Sequence, residues 1–398
     1  MRLPGFLTAL RGPAVPRTVW MLGFVSLLMD VSSEMVQTLL PLYLVSGLGA
    51  SALTVGFVEG ISAAVATATK FLSGALADRM GRNKPLAVLG YGLGAVSRLI
   101  LPLAASVDLV LASKAIDRVG KGLRGAPRDA LIASVSPPEI RGASFGLRKS
   151  LDTVGGFLGP LIAVAAMLLL GGHILSVFWL AAIPAFLAVA LLIFGVQEPK
   201  GATPALGSAF SFRDSLRLNR AVWTVVGFGC LLTLARFSEA FLLLKALESG
   251  FSPVWAPLAM VLLHAAYGLT AYPVGRLSDR IGREGLLIWS LPFLIGAHLA
   301  LAWAEGLGLY LLGVALWGLH MGFSQGLLGA MIAGAAPEKL KGTAFGAFNL
   351  VTSLALLGGS VAAGWLWESR GSAAPFQVGA CLASGALLFA VARRRFPG

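Results

Sequence analysis

The sequence predicts an all-α integral membrane protein with twelve transmembrane helices in two pseudo-symmetric six-helix bundles. Its 398 residues are 57% hydrophobic and only 12% charged, and the mean hydropathy is +0.83. Soluble domains contain about 25% charged residues, so this chain is too apolar to be one. Two further observations support the fold class: the length of the apolar runs and an internal repeat.

The apolar runs have the length of about 20 residues that a helix needs to cross the hydrocarbon core of a bilayer. We expect spans at 19–46, 53–77, 85–104, 108–133, 143–169, 174–196, 221–247, 255–277, 286–304, 308–335, 343–367 and 374–392. The fourth span contains many charged residues and is therefore less apolar than its neighbours.

The chain repeats itself with a period of about 200 residues. The segment GALADRMGR at 74–82 is similar to GRLSDRIGR at 275–283, and PEIRGASFG at 138–146 is similar to PEKLKGTAFG at 337–346. We therefore expect an N-terminal bundle at 1–196, a cytoplasmic linker at 197–219 and a C-terminal bundle at 220–398. Two related halves with a site between them near the middle of the membrane are an established transporter plan.

Basic residues in the short connections predict the orientation of the chain, because Lys and Arg are retained on the cytoplasmic side. They occur in alternate connections, at Arg79, Arg82, Lys84, Arg141, Lys200, Arg213, Arg276, Arg280, Arg283, Lys339 and Lys341. Both termini are then cytoplasmic, and we expect a monomer in the inner (cytoplasmic) membrane. The net charge of +13 follows from this topology. It is no sign of nucleic-acid binding, so the expected partner is the lipid bilayer.

The sequence contains none of the motifs that would indicate an enzyme. It has no Walker-type phosphate loop, no HExxH motif and no nucleophile and base at a diagnostic spacing. Its two cysteines and four histidines do not cluster in the sequence, so we expect neither a metal nor a cofactor. A membrane-embedded enzyme and a channel stay as alternatives to a transporter.

The fourth span contains the most informative segment, KAIDRVGKGLRGAPRDALIA at 114–133. Its charges recur at intervals of three or four residues, which places them in one stripe on a helix. They are Lys114, Asp117, Lys121, Arg124 and Arg128. A charge at mid-bilayer costs roughly 2.5–3.5 kcal/mol on insertion scales, so such residues are usually paired or face a watery transport path. A salt-bridge lattice that only locks the bundle is the alternative, and the two interpretations are compatible.

Other spans supply polar residues that could face this stripe. Asp30, Glu34 and Gln37 share one face of the first span. The second span contains Glu59, and the seventh contains Arg236 and Glu239. We expect the two acids of the first span to neutralise charges of the fourth, and both charged faces to line a central cavity.

The repeat supplies an internal control for the charged stripe. The positions of the tenth span that correspond to Asp117, Lys121, Arg124, Arg128 and Asp129 are Trp317, Met321, Ser324, Leu328 and Gly329. Both copies have similar packing demands, yet only one is charged. Substrate or ion handling therefore explains these charges better than packing does.

The segment GALADRMGRNKP at 74–85 closely resembles motif A of the major facilitator superfamily, the signature of the loop between helices 2 and 3. In that family the loop helps to close the cytoplasmic side. The resemblance, which extends over the whole chain, implies a gate formed by Gly74, Asp78, Arg79, Gly81 and Arg82. Asp279 and Arg280 belong to the second copy, which lacks the basic residue matching Lys84.

Two further motifs are similar to those of the same family. Arg118 with Gly122 matches motif B, which is linked to proton coupling in some members, although Lys121 replaces the usual Gln. Gly155, Gly159 and Pro160 are similar to the start of motif C, which is typical of antiporters. The glycine pair that usually follows is absent.

Together these features predict a secondary active transporter that moves a small anionic or zwitterionic organic solute by alternating access. We expect coupling to protons and export rather than uptake, with a proton-coupled uptake permease as the alternative. The expected proton carriers are Asp30, Glu34 and Asp117. The expected substrate contacts are Gln37, Glu59, Arg118, Lys121, Arg124, Arg128, Arg236 and Glu239.

Overall fold

The computed structural model describes residues 15–80, 82–198, 212–215, 217–337 and 340–395. In that part of the chain every regular element is a helix. Eleven helices are long and apolar enough to cross a membrane. The helix at Val107–Val135 is the twelfth long helix, and its many charges keep it outside that set. The predicted fold class is therefore confirmed.

The N-terminal half contains six long helices. They are α1 Arg17–Leu42, α2 Ala52–Met80, α3 Lys84–Ile100, α4 Val107–Val135, α5 Arg141–Leu169 and α6 Ile174–Gly195. A π-helical turn at Tyr43–Gly47 extends α1. The predicted linker lies mostly outside the described residues, apart from a one-turn helix at Phe212–Ser215.

The C-terminal half contains six corresponding helices. They are α7 with segments Arg220–Ala235 and Ala240–Glu248, α8 Leu258–Ile281, α9 Arg283–Ala302, α10 Leu307–Ala335, α11 Lys341–Arg370 and α12 Ala373–Arg395. The bounds of α4 and α10 differ by the period of the repeat at both ends. The pairings α1–α5, α1–α6, α2–α4, α3–α4 and α3–α6 recur as α7–α11, α7–α12, α8–α10, α9–α10 and α9–α12.

The two halves meet most extensively along α2 and α11, where glycines bring the helix backbones into contact. A Cβ atom at Gly364 would lie 2.6 Å from the carbonyl oxygen of Ala52. Small residues at such positions allow close packing of membrane helices. The Leu53 amide donates a hydrogen bond to Glu368 Oε1 at 2.7 Å, and this bond joins the two halves near the start of α2.

The hydrophobic cores show which ends of the two halves are joined. We call the face where α1 begins and α12 ends the terminal face, and the other the opposite face. Near the opposite face one core combines both halves, with Leu39 of α1 packed in the same cluster as Phe241 of α7. Toward the terminal face the N-terminal half has its own core around Leu22 and Tyr91. The C-terminal half has separate cores there. The structure is thus closed at the opposite face.

We predict that Glu368→Gln weakens this closure, because the amide of Leu53 loses a charged acceptor. A shift of about fivefold in the ratio of closed to open states is expected for a loss of about 1 kcal/mol. Spin labels replacing the exposed Leu103 and Trp303 in a variant without native cysteines should report a longer distance component. Ser369→Ala is the control, and an unchanged distance distribution in Glu368→Gln would contradict the prediction.

Candidate functional site

Helix α4 packs between α2 and α3, and its charged residues Lys114, Asp117 and Arg124 are buried. Ser106 caps its first turn, with the Ser106 hydroxyl accepting a hydrogen bond from the Leu109 amide. A Cβ atom at Gly90 of α3 would lie 2.7 Å from the carbonyl oxygen of Gly120. A Cβ atom at Gly122 would lie 2.8 Å from the carbonyl oxygen of Ala66 on α2. The glycines of α4 therefore allow both neighbours to approach its backbone.

Asp117 lies in the interior of the N-terminal half and is paired with two arginines. Arg98 Nη2 of α3 is 3.0 Å from Asp117 Oδ1, and both side chains are more than nine-tenths buried. Arg118 Nε is 3.7 Å from Asp117 Oδ2. Arg98 also donates hydrogen bonds to Ser32 and Ser33, at 3.2 and 3.1 Å. These contacts fix α1, α3 and α4 relative to one another.

Arg98 is the main partner of Asp117, a role that the sequence did not assign to it. It is the one basic residue within α3 beyond the first turn, and an isolated arginine in an apolar helix is the signal that could have found it. We expected the acids of α1 to neutralise charges of α4, but the ion pairs among the described residues do not involve those acids. Within 4 Å, Asp117 pairs with Arg98 and Lys114 pairs with Glu59 of α2.

Lys114 and Glu59 form the second buried ion pair of α4. Ser238, in the break between the two segments of α7, lies next to Glu59. Glu59 thus connects α4 of the N-terminal half to the interrupted helix of the C-terminal half.

Two pockets adjoin α1, and Gln37 lines both of them. The first, which we call the cationic pocket, is lined by Arg98, Lys114, Arg118, Asp117, Ser33 and Gln37, among others. The second, which we call the acidic pocket, is lined by Glu34, Glu59, Glu239, Gln37, Thr38 and Met260, among others. Arg118 Nη2 donates a hydrogen bond to Gln37 Oε1 at 3.1 Å.

The acidic pocket lies where the two halves meet. Glu34 of α1 is within electrostatic range of Glu239 on α7 and of His264 on α8. Arg236 and Glu239 flank the break in α7, and they are within electrostatic range of each other. Among the described residues, neither Glu34 nor Glu239 has a cation within 4 Å. The pocket therefore contains carboxylates that lack an ion-pair partner.

The glycines of α5 determine how closely α1 and its acids are packed. A Cβ atom at Gly155 would lie 3.0 Å from Asp30 Cβ, and one at Gly159 would lie 3.0 Å from the carbonyl oxygen of Val31. The spacing of these glycines matches that of Asp30 and Glu34. The residues that resemble motif C therefore support the acidic face of α1.

A second polar cluster lies nearer the terminal face. The guanidinium of Arg124 lies 4.7 Å from the ring centroid of Tyr91, and Arg124 is buried. Arg128 donates to Ser26 Oγ at 3.2 Å and to Asp129 at 3.2 Å. The predicted stripe therefore does not face a single cavity, because Arg124 points into the N-terminal half beside α3.

Asp30 and Lys121 lie close to this cluster. Asp30 is within electrostatic range of Lys121, Arg124 and Arg128. Lys121 is exposed, whereas its neighbours Gly120 and Gly122 on the helix are buried. Asp152 of α5, also near Asp30, is bonded to Arg148 at 2.8 Å. Asp30 thus has several cations nearby and none within 4 Å among the described residues.

The same place in the C-terminal half is neutral and aromatic. Trp317 replaces Asp117, and His298 replaces Arg98. Their ring centroids are 5.1 Å apart. Phe237 packs on Trp317 at 5.9 Å, and Ala235 O contacts His298 Nε2 at 3.0 Å. Helices of this geometry can therefore be packed without buried charge.

The predicted gate is described only in part. Gly74, Asp78 and Arg79 lie in the last turns of α2, and Asp279 and Arg280 lie in the last turn of α8. The structure describes the backbone but not the side chains of these residues. Gly81 lies outside the described residues, and Arg82 is exposed. The gate therefore stays a prediction.

Comparison with known proteins defines the class. The chain matches the Major Facilitator Superfamily over residues 22–360. It is 30% identical over 362 residues to the uncharacterized MFS-type transporter MJ1317 of Methanocaldococcus jannaschii, covering 88% of this chain and 89% of that protein. It is 25% identical over 318 residues to multidrug resistance protein MdtL of Shigella dysenteriae serotype 1, covering 78% and 76%.

The fold agrees with these matches. A crystal structure of a variant of the nucleoside transporter NupG aligns with a TM-score of 0.81 at 14% identity, covering 94% of this chain and 99% of that one. At this identity the likeness concerns the fold alone. The family match and the similar transporters place the chain in the class of membrane transporters. The chain belongs to the Major Facilitator Superfamily.

We predict that Arg98→Met is strongly destabilising, whereas Arg98→Met combined with Asp117→Leu recovers most of the loss. Removing one member of a buried ion pair costs about 3–5 kcal/mol, while replacing both by apolar residues is often neutral. Thermal unfolding of the purified variants measures this. A double variant as unstable as the single variant would show that the pair itself holds the fold.

A second prediction concerns the contact between α1 and α5. Gly159→Ala should destabilise the protein by about 1–3 kcal/mol, because the new methyl group must displace the α1 backbone. Gly156→Ala is the matched control, since its Cβ would meet nothing closer than His264 Cδ2 at 4.0 Å. Thermal unfolding of both variants tests the difference, and equal effects would contradict the packing argument.

Proposed function

We propose that the protein is a secondary active transporter that exports a small anionic or zwitterionic organic solute by alternating access, coupled to protons. One observation carries the proposal. The N-terminal half contains paired and unpaired charges around Gln37 at the boundary between the halves, whereas the equivalent place around Trp317 is aromatic and neutral. Charges that the fold does not need are expected to serve a ligand.

Alternating access is supported by the way the two halves are joined. They share one core near the opposite face and have separate cores toward the terminal face. Rocking of the halves about the central site would separate them near the opposite face and join them near the terminal face. The basic connections favour a cytoplasmic terminal face in an inner membrane, so the structure corresponds to an inward-facing state. The motif A segment would stabilise the state that is closed at the cytoplasmic side, through Asp78. The transporter would act as a monomer.

The electrostatics of the cationic pocket support the proposed substrate class. Arg98 is neutralised by Asp117, and Lys114 is neutralised by Glu59. Arg118 is the remaining cation, since its contact with Asp117 is long and shared. A surplus guanidinium at a partly enclosed site favours an anionic group on the solute.

Proton coupling is supported by carboxylates whose surroundings change when the halves move. Glu34 of α1 faces α7 and α8 of the other half, so closing the terminal face would alter its neighbours. Asp30 lies beside several cations without being bonded to one. Asp117 is already paired with two arginines. Glu34 is therefore the first choice as proton carrier and Asp30 the second.

Export is supported by two features of the sequence. The glycines of α5 resemble motif C, which is typical of antiporters, and they pack against α1 at Asp30 and Glu34. The similar protein MdtL is named for multidrug resistance. Uptake of the solute in the transport experiment below would contradict the proposed export.

We predict that Glu34→Gln abolishes transport driven by a pH gradient while preserving exchange at saturating solute, because exchange does not require a proton to be released. A thermal-shift screen of solutes on the purified protein identifies the probe. Proteoliposomes then measure uphill transport and counterflow for Glu34→Gln, Asp30→Asn and Asp117→Asn. The exposed Glu305→Gln is the control.

Two results would contradict the proposal. Uphill transport that never responds to an imposed pH gradient would rule out proton coupling. Normal accumulation in all three carboxylate variants would rule out the assignment of the carriers. Accumulation inside inside-out vesicles made acidic within would support export.

A further inference from the structure

The two pockets beside α1 carry opposite charge and share one side chain. Ser33 lines the cationic pocket and Glu34 lines the acidic pocket. Adjacent residues of a helix point about 100° apart, so the two pockets flank one face of α1. Gln37, one turn further along, lines both. A small solute that touches Gln37 can therefore reach both pockets.

From this arrangement we infer that the substrate is a zwitterion, with its acidic group in the cationic pocket and its ammonium group in the acidic pocket. This inference rests on the proposed transport function and narrows its substrate class. It also implies that the two charged ends of the solute have different roles in binding and in closure.

The cationic pocket contains a guanidinium group with unused hydrogen-bonding capacity. Arg118 Nε is buried and has no hydrogen-bond partner among the described residues. Within the described part of the chain, its Nη2 donates only to the neutral amide oxygen of Gln37. A carboxylate or phosphate would accept two parallel hydrogen bonds from such a group. The acidic group of the solute is therefore placed at Arg118.

The acidic pocket brings together carboxylates from both halves. Glu59 is paired with Lys114, which leaves Glu34 from α1 and Glu239 from α7. The other charged groups near these two are Asp30, Lys121 and His264 around Glu34, and Arg236 beside Glu239. Among the described residues, none of the basic groups is within 4 Å of either carboxylate. Two like charges across the boundary repel each other, and an ammonium group between them would remove that repulsion.

The ammonium group would thus bridge the two halves, whereas the acidic group would contact the N-terminal half alone. A ligand shifts a conformational equilibrium only through a difference in affinity between states. A simple anion would bind Arg118 without drawing Glu34 and Glu239 together. A zwitterion would favour closure of the halves around it, so the amine is the end that determines transport.

The test uses the full chain in nanodiscs with probes of defined charge. They are the proteinogenic amino acids, ω-amino acids of increasing chain length and glycyl dipeptides, each with its N-acetyl and methyl ester derivative. Thermal shift followed by titration gives the affinities. We expect at least one zwitterion to bind, and both of its derivatives to bind roughly tenfold or more weakly, since each lacks one charge-assisted contact.

Two variants assign each end of the probe to its pocket. In the double variant Glu34→Gln and Glu239→Gln the N-acetyl derivative should bind within about threefold of the zwitterion, because the amine has lost both carboxylate partners. In Arg118→Gln the methyl ester should bind within about threefold of the zwitterion for the corresponding reason. Glu248→Gln on α7 and the exposed Arg141→Gln on α5 are the matched controls, and they should retain the wild-type preferences.

The inference is overturned if no zwitterion binds, if the N-acetyl derivative binds wild-type protein as well as its parent, or if the variants do not change the preferences as stated. Counterflow in proteoliposomes separates this failure from that of the proposed function. Exchange of an amine-free anion would retain the transporter and reject the zwitterion. Absence of exchange for every bound probe would reject the transport function itself.

Discussion

The cost of placing ionisable groups in hydrocarbon is the constraint on which the N-terminal half depends. Helix α4 contains eight such residues: Asp108, Lys114, Asp117, Arg118, Lys121, Arg124, Arg128 and Asp129. Roughly 2.5–3.5 kcal/mol for each charge at mid-bilayer would make an isolated helix of this sequence a poor membrane span. The helix is instead enclosed by α2 and α3, which approach its backbone at Gly122 and Gly120. The ion pairs with Glu59 and Arg98 then become possible because the backbones are so close.

Comparison of the two halves shows that these charges are not required for packing. The halves share their helix pairings and the bounds of α4 and α10. Where one half has Arg98 and Asp117, the other has His298 and Trp317 in an aromatic cluster. The same chain therefore contains an uncharged arrangement that packs at the equivalent position. In the N-terminal half the charged arrangement also includes Arg118 and Gln37, which line the cationic pocket beside α1.

The fold was predictable from the sequence because each feature that defines it is local or repetitive. Apolar runs of sufficient length identified eleven of the helices, α4 was found as a charged span of the same length, and the repeat indicated the division into halves. The glycines of α5 were recognised as a motif, yet their role as a support for Asp30 and Glu34 depends on the register between α5 and α1. That register is a tertiary property which one sequence does not contain.

The sequence placed the candidate site residues on their helices, but it did not predict which of them contact each other. Helical spacing placed Lys114, Asp117 and Arg124 in one stripe, and the structure directs them to different neighbours. The reason is that α4 is enclosed on two sides, so small angular differences decide whether a side chain meets α2, α3 or the boundary between the halves. Arg98 could not be paired with Asp117 from the sequence because a lone residue has no pattern, although its isolation in an apolar helix was itself informative.

The central claim is that the exposed part of α4 faces water between the halves and not lipid. Lys121 is the residue that decides it, since it is exposed while lying near Asp30. A spin label replacing Lys121 in nanodiscs, probed with a water-soluble nickel chelate and with oxygen, measures this directly. A label replacing Phe186, an exposed apolar residue of α6, supplies the lipid reference. We predict that the label at Lys121 is relaxed mainly by the nickel chelate and the label at Phe186 mainly by oxygen. Oxygen-dominated relaxation at Lys121, equal to that at Phe186, would contradict the account.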